Sequence, residues 1–271
     1  MLKLMFITNN PEVAVIAQDA GVDRIFIDLE YIGKEERQKG MDSVKSHHTI
    51  DDIYKLRPLL MKSELIVRCN PIHDSTNDYC SSESEIKQIL WGRPDIIMLP
   101  YFKTILEVKR FLECVNGECK TMLLLETPEA VDILDEILEL DGIDFIHIGL
   151  NDLSLGYKKK FMFDLLFDGT VEKIINKIKK TDIPYGFGGI ASLGQGTVPS
   201  ENIIREHYRL GSTCAILSRS FCDLRQYNDM KKLRQDFNTR LKEIRTFESK
   251  LGDKNIKYLF LKKKNYIEID L

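Results

Sequence analysis

The chain has 271 residues, a usual length for one (β/α)8 barrel and long for most other single domains. Hydrophobic residues make up 43% of it, enough to build a large core, which argues against global disorder. The formal net charge is -3 and the isoelectric point is about 6.0, so neither value indicates binding to nucleic acid or to an anionic membrane surface.

The sequence predicts a cytoplasmic location. Its amino-terminal run, MLKLMFIT, is too short for a secretory signal and is predicted to form the first strand. No apolar stretch reaches the roughly 18 residues that suggest a membrane span, so we expect no membrane partner. Without a signal peptide or a CxxC pair, the cysteines are predicted to be reduced thiols. They are Cys69, Cys80, Cys114, Cys119, Cys214 and Cys222.

Short apolar runs alternate with longer amphipathic stretches along the whole chain. The runs are rich in Ile, Leu, Val and Phe and are mostly continuous, which is typical of parallel strands covered by helices. They span residues 2–8, 24–30, 64–70, 95–101, 120–126, 145–149, 184–190 and 213–219.

Helices are predicted between these runs. The first follows Pro11, a favourable first-turn residue, and ends before Gly21. The second begins at Thr49, with Asp51 and Asp52 in its first turn. The predicted helices span 12–20, 49–60, 84–91, 104–115, 128–140, 168–180, 199–210 and 224–251.

This repetition of βα units predicts an α/β protein with a single (β/α)8 barrel over residues 1–251. An open doubly wound sheet is the alternative, although such sheets usually have about five to seven strands. Long connections at 31–48 and 72–82 and a glycine-rich one at 188–198 all follow strand ends, the face where barrel enzymes place their chemistry. Residues 252–271 are predicted to form a hairpin-like appendage beyond the last helix.

Two carboxylates stand where successive strands end. Glu126 closes the run KTMLLLE, and Asp152 closes FIHIGLND. Burying a carboxylate costs several kcal/mol unless something compensates it, so the pair predicts a divalent-cation site on the barrel rim. Mg²⁺ or Mn²⁺ fits, because these ions take one or two protein carboxylates and complete their octahedron with water and substrate. The simpler interpretation is that Glu126 is an acid at a helix start and Asp152 a helix N-cap.

Arg68 lies near the end of the third strand. It is predicted either to form a structural ion pair with Asp28 or Glu30, or to face negative charge that develops on a substrate oxygen.

Five motifs identify a resemblance to the HpcH/HpaI aldolase and citrate lyase beta-subunit family over about residues 2–222. Each motif is short, but they stand in the family's order at the ends of strands two to six. They are FIDLE at 26–30, VRCNP at 67–71, IMLP at 97–100, LLLET at 123–127 and IGLNDLS at 148–154.

The resemblance implies a phosphoenolpyruvate/pyruvate-type barrel with Mg²⁺ or Mn²⁺ at Glu126 and Asp152. It places Arg68 on the keto or enolate oxygen and gives the substrate carboxylate to backbone amides of Leu150, Asn151 and Asp152. It also implies a small carboxylic-acid substrate or its CoA thioester, and a homo-oligomer such as a trimer or hexamer.

The chain departs from the family just after the strand-two acid, Glu30. Aldolase-type members have His there and lyase-type members have Asp, whereas this chain has Tyr31. His47 and His48, from the same connection, are alternative acid/base groups, and solvent-exposed loop histidines are the simpler interpretation. The predicted catalytic set is therefore Arg68, Glu30, His47 and His48.

Three further residues are predicted to contact substrate. Asn70 follows Arg68 at the same strand end, and Gly188 and Gly189 open the glycine-rich connection, whose amides could hold an anion. A simple strand-to-helix connection is the alternative for the two glycines.

The predicted activity is metal-assisted cleavage or formation of a carbon–carbon bond next to a carboxylate, on a 2-oxo or 3-hydroxy acid or its CoA thioester. A Schiff-base aldolase is disfavoured because Lys120 begins its strand, at the wrong end of the barrel. A metal- or carboxylate-binding homologue without catalysis and a phosphoenolpyruvate-handling transferase remain alternatives.

Overall fold

Eight parallel strands close into a barrel in which each strand pairs with the next and the last pairs with the first. The computed structural model describes residues 1–34 and 47–252. This architecture confirms the predicted (β/α)8 barrel. The strands are β1 (Lys3–Ile7), β2 (Arg24–Asp28), β3 (Glu64–Arg68), β4 (Ile96–Leu99), β5 (Lys120–Leu125), β6 (Phe145–Ile148), β7 (Tyr185–Ile190) and β8 (Cys214–Leu217).

Helices cover the outside of the barrel. The first begins after Asn10, whose side chain accepts hydrogen bonds from the amides of Glu12 and Val13, and it ends at Gly21 in the left-handed conformation. The helices are α1 (Pro11–Ala20), α2 (Ile50–Leu56), α3 (Ser82–Trp91), α4 (Ile105–Val115), α5 (Pro128–Asp132), α6 (Leu134–Ile137), α7 (Leu150–Gly156), α8 (Asp164–Phe167), α9 (Thr170–Ile178), α10 (Ser200–Leu210) and α11 (Met230–Gly252).

Two differences from the predicted helices matter. The segment predicted as one helix over 128–140 is divided at Ile133 into α5 and α6. The segment after β6 forms α7 and α8, which the sequence did not predict. Because α7 begins at Leu150 with Gly149 as its N-cap, Asp152 lies in the first turn, and its interpretation as an N-cap is wrong.

The barrel interior is filled with apolar side chains below its mouth. Phe26 and Met98 are two of these residues, and both are fully buried. The buried residues of this interior cluster are Met5, Phe26, Ile66, Ile96, Met98, Met122, Leu124 and Cys214. The charged side chains of the candidate site follow the carboxyl ends of the strands, above this apolar interior.

The last helix, α11, packs against α1 and α10 and so connects the first and last parts of the chain. The buried carboxylate of Glu248 accepts a hydrogen bond from the Leu2 amide at 2.7 Å. None of the helices in the described ranges combines the length and apolar composition needed to cross a bilayer. The predicted appendage lies outside the described residues from 253 onward, as do residues 35–46 of the connection after β2.

Two buried histidines make stability depend on pH. His147, on β6, donates through Nε2 to the Gly188 carbonyl at 3.2 Å, and burial lowers its pKa to about 4. His207, on α10, stacks on Phe187 with 3.9 Å between ring centroids, and burial lowers its pKa to about 3. Both side chains therefore stay neutral in the folded protein at pH values where an unfolded chain protonates them.

We expect the free energy of unfolding to fall as the pH drops below about 6.5, because the unfolded state then binds protons that the folded state excludes. Each histidine lowers the free energy of unfolding by up to about 1.4 kcal/mol for each pH unit below this value. The effect continues until the pH approaches the pKa of that histidine in the folded protein. The variant His207→Phe keeps the stack and removes one of the two contributions. Urea unfolding at several pH values should give a smaller pH slope for the variant than for the wild type, and equal slopes would contradict the assignment.

Candidate active site

The strand ends bring five charged side chains to one side of the barrel mouth. Strand pairing places Asp28 directly beside Arg68, and Glu30 follows two residues after Asp28. Glu126 and Asp152 follow β5 and β6, which are neighbours in the barrel. The four carboxylates are almost fully buried, so each must be compensated by charge or hydrogen bonds.

Arg68 forms the structural ion pairs that the sequence suggested. Its Nε and Nη2 donate to the two carboxylate oxygens of Asp28 at 2.8 and 2.7 Å, and its Nη1 lies 3.3 Å from Glu30 Oε2. A guanidinium has five N–H donors, and these contacts engage at most three of them. Within residues 1–34 and 47–252, the contacts with Asp28 and Glu30 therefore do not exclude a ligand at the guanidinium, and the two interpretations of Arg68 are compatible.

The same group contains a lysine that the sequence did not indicate. Lys34 is buried, and its Nζ lies 2.8 Å from Asp28 Oδ2 and 3.3 Å from Glu30 Oε2. Burial alone would raise the pKa of Asp28, but the charges of Arg68 and Lys34 outweigh it and hold that pKa well below its usual range. Burial likewise opposes the charge on Arg68, yet Asp28, Glu30 and Glu126 together raise its pKa. Asp28 and Arg68 are therefore ionised at neutral pH.

Glu126 is held by the backbone on both sides. Its Oε1 accepts a hydrogen bond from the Tyr101 amide at 3.1 Å. Tyr101 has a φ of 48°, a left-handed conformation that is strained for a bulky side chain and that aims the amide at the carboxylate. On the other side, a Cβ added to Gly149 would meet Glu126 Oε2 at 2.6 Å. The helix that follows is capped by Thr127, so Glu126 itself stands outside the cap.

Asp152 and Glu126 line one cavity of about 320 Å³. Its other lining residues are Tyr101, Lys103, Thr127, Pro128, Glu129 and Gly156. Glu129, the third acid of the lining, pairs with Lys103 at 3.1 Å. The two buried carboxylates, Glu126 and Asp152, suit Mg²⁺ or Mn²⁺, which prefer oxygen ligands and keep several waters. The described residues contain no cluster of three or more His, Cys, Asp or Glu side chains arranged for a metal. A cation held here would complete its coordination with water or substrate.

The variant Gly149→Ala tests the close approach at Glu126. The φ of Gly149 is -82°, which alanine adopts without strain, so steric contact with the Glu126 side chain is the expected cost. We expect the displaced carboxylate to weaken Mn²⁺ binding about tenfold, measured by calorimetry. The matched control is Leu155→Ala, on a partly exposed position of the next helix, which should leave Mn²⁺ affinity unchanged. Equal affinities in wild type and Gly149→Ala would contradict this role of the glycine.

The histidines occupy different environments. His48 is half-buried, and its Nδ1 lies 3.0 Å from the Asp28 amide, from which it accepts a hydrogen bond. Burial lowers the pKa of His48, so at neutral pH the ring is uncharged and its Nε2 carries the proton. His47 is exposed. Tyr31 is 51% exposed and lies against Tyr79, with 5.4 Å between ring centroids.

Asn70 organises the turn that carries Glu30 to Lys34. Its Oδ1 accepts from the amides of Tyr31 and Ile32 at 2.9 and 3.0 Å. Its Nδ2 and its amide both donate to Glu85 Oε1 at 3.0 Å. These bonds give Asn70 a positioning role, and the predicted contact between Asn70 and substrate stays a prediction.

Of the glycines of β7, Gly188 lies against the start of α7. Gly188 has a φ of 50°, and a Cβ there would meet Leu150 Cδ1 at 2.7 Å. Gly189 lines a separate, larger cavity of about 850 Å³ at the ends of β7 and β8. The structure thus explains the glycine at 188 by backbone geometry and close packing, while substrate contact by Gly188, Gly189 and the α7 amides of Leu150 and Asn151 stays a prediction.

Sequence reasoning missed two residues of the site. Lys34 stands four residues after Glu30, a spacing that pairs side chains on a helical turn, but the segment was predicted to be an irregular connection. Tyr101 holds Glu126 through its backbone amide, which no side-chain pattern reveals.

Comparison with known proteins supplies a family. The HpcH/HpaI aldolase/citrate lyase family matches residues 3–187 of the chain. A search of the curated proteins found no match.

Solved structures share the fold at low sequence identity. An HpcH/HpaI aldolase/citrate lyase family protein from Burkholderia cenocepacia J2315 is 14% identical with a TM-score of 0.61, covering 90% of this chain and 95% of that one. An HpcH/HpaI aldolase from Desulfitobacterium hafniense DCB-2 is 15% identical with a TM-score of 0.60, covering 90% and 93%. The citrate synthase SbnG is 15% identical with a TM-score of 0.55, covering 93% and 95%. At these identities the likeness concerns the fold.

Proposed function

The chain belongs to the HpcH/HpaI aldolase/citrate lyase family, and on that premise we propose that it is a divalent-metal-dependent carbon–carbon lyase. The proposed substrate is a small 2-oxo or 3-hydroxy carboxylic acid or its CoA thioester. Family membership supports the aldolase or lyase class. The observation that carries the finer proposal is that Glu126 and Asp152 line one cavity, with Arg68 close enough for the charge of Glu126 to raise its pKa.

Glu126 and Asp152 are the residues that would hold Mg²⁺ or Mn²⁺. When bound, the cation supplies Lewis acidity that favours negative charge on a substrate oxygen. The protein's contribution is to fix both carboxylates, one through the Tyr101 amide and the other within the first turn of α7. Holding them in advance avoids the cost of ordering them when the ligand arrives.

Arg68 is proposed to stabilise the charge that forms when the carbon–carbon bond breaks. In the cleavage direction, a base takes the proton of the substrate hydroxyl group, and the hydroxyl oxygen becomes the oxygen of a new carbonyl group. The electrons of the broken carbon–carbon bond pass to the other fragment, whose neighbouring carbonyl group takes up the charge as an enolate. The N–H donors of Arg68 that the acids leave available can meet the enolate oxygen. Asp28 and Glu30 fix the orientation of the guanidinium.

The geometry limits what His48 can do. Its Nδ1 already accepts the Asp28 amide, so a neutral ring can offer only the Nε2 proton as a hydrogen bond. We therefore propose that His48 is a hydrogen-bond donor to substrate rather than a carrier of the transferred proton. Glu30 and His47 stay as acid/base predictions.

A turnover screen tests the proposal. The substrates are oxaloacetate, 4-hydroxy-2-oxo acids, and citramalyl and malyl thioesters, each assayed after chelation and after adding Mg²⁺ or Mn²⁺. We expect cleavage of at least one substrate, lost with chelator and restored by the metal. Tight metal binding with no turnover of any would instead favour a homologue that binds metal or carboxylate without catalysis, the alternative suggested by Tyr31.

A further inference from the structure

Lys34 is a buried cation at the barrel mouth that no motif accounts for. It is 8% exposed and follows Gly33, whose φ of 70° turns the chain back toward β2. The turn is held in place by Asn70, which accepts hydrogen bonds from two of its amides. The lysine is thus directed into the acidic group by the backbone, whereas a typical surface lysine extends into solvent.

Lys34 and Arg68 contact the same two oxygen atoms. Asp28 Oδ2 lies 2.8 Å from Lys34 Nζ and 2.7 Å from Arg68 Nη2. Glu30 Oε2 lies 3.3 Å from Lys34 Nζ and 3.3 Å from Arg68 Nη1. The two cations therefore share both carboxylates, and the formal charges of these four side chains add to zero.

Because Lys34 and Arg68 share the two carboxylates, Lys34 affects the electrostatic attraction between Arg68 and an anionic ligand. Without Lys34, Arg68 would stand alone between Asp28 and Glu30, and the three side chains would have a formal net charge of -1. A net negative charge repels an anionic ligand. With Lys34 present, the two acids are neutralised jointly, and this group adds no net negative charge beside the guanidinium of Arg68.

We propose that Lys34 is a positioning residue for the substrate-oxygen site. By sharing Asp28 and Glu30 with Arg68, it leaves the guanidinium able to bind an anionic carboxylate or enolate oxygen. The inference rests on the proposed function, because it assigns a second cation to the same site.

The test measures oxalate binding in the presence of Mn²⁺ by calorimetry. Oxalate is a planar dianion with the oxygen spacing of a 2-oxo acid, and its binding requires no turnover. Lys34→Met gives the four-group cluster a net charge of -1, Glu30→Gln gives +1, and the double variant Lys34→Met/Glu30→Gln returns it to zero. The matched control is Lys62→Met, which removes an exposed lysine paired with Asp19 on the outer surface.

We expect oxalate affinity to follow the net charge of the cluster. Lys34→Met should bind oxalate about tenfold more weakly than wild type, while Mn²⁺ affinity is unchanged. Lys34→Arg and the double variant should recover most of the loss, Glu30→Gln should bind at least as tightly as wild type, and Lys62→Met should match wild type. A lysine that only supports the fold would not produce this order.

Three outcomes would overturn the inference. If Lys34→Met binds oxalate as tightly as wild type, Lys34 does not act on the site. If Lys34→Met does not fold, the double variant Lys34→Met/Glu30→Gln is measured in its place. If the double variant binds oxalate much more weakly than both wild type and Glu30→Gln, the net charge of the cluster does not control oxalate affinity. If wild-type protein with Mn²⁺ bound takes up no oxalate, the proposed function fails at substrate binding, and this inference fails with it.

Discussion

Replacing Glu126 by glutamine is expected to weaken Mn²⁺ binding by at least about 100-fold and to remove turnover. Glutamine keeps the size of the side chain, and its carbonyl oxygen can still accept the Tyr101 amide, so the backbone contact survives. What is lost is one of two anionic ligands on a hard cation. Asp152→Asn should act in the same way, because Asp152 is the only other acid proposed as a ligand.

Calorimetric titration with Mn²⁺ measures the change, and thermal unfolding shows whether the variants remain folded. The control is Glu136→Gln, an exposed acid on α6, which should bind Mn²⁺ like the wild type. If both Glu126→Gln and Asp152→Asn keep wild-type affinity, the metal assignment is wrong.

Replacing Arg68 by lysine is expected to lower kcat by about 10²-fold to 10³-fold. Lysine keeps the positive charge, but it cannot donate to both oxygens of Asp28 and also reach a substrate oxygen with fixed geometry. A methionine at this position would leave two buried acids with one cation, at a cost of about 3–5 kcal/mol in stability, so lysine is the more informative change.

Steady-state kinetics on the substrate identified by the screen separates the outcomes. We expect kcat to fall more than KM rises, because the interaction strengthens as charge develops on the oxygen. Arg57→Lys is the control, since Arg57 pairs with Asp95 away from the strand ends that carry the site. An unchanged kcat in Arg68→Lys would exclude Arg68 from stabilising the reacting oxygen.

The barrel and the positions of its strand ends could be predicted because short patterns in the sequence indicate both. Continuous apolar runs mark parallel strands, and Glu126 and Arg68 stand at the point where such runs stop. Their convergence then follows from the fold, since parallel strands of a barrel all end on one face.

The rest of the site depends on contacts that no local pattern encodes. The burial of Lys34 results from a turn held by Asn70, which is far from it in sequence. The tautomer of His48 is set by the Asp28 amide, and Glu126 is oriented by the strained backbone of Tyr101. The spacing of side-chain types in a sequence does not indicate where a backbone amide donates a hydrogen bond, so these roles could be identified only from the structure.

The most direct test of an enolate-forming site is exchange of carbon-bound hydrogen. The protein is incubated in deuterated water with pyruvate or acetyl-CoA, and loss of the methyl proton signal is followed by NMR with Mg²⁺, after chelation, and in Glu126→Gln. We expect exchange at one of the two methyl groups with Mg²⁺ only, and none in the variant. Exchange at neither methyl group by the Mg²⁺-bound wild type, or exchange that continues undiminished after chelation, would contradict a metal-dependent carbon–carbon lyase.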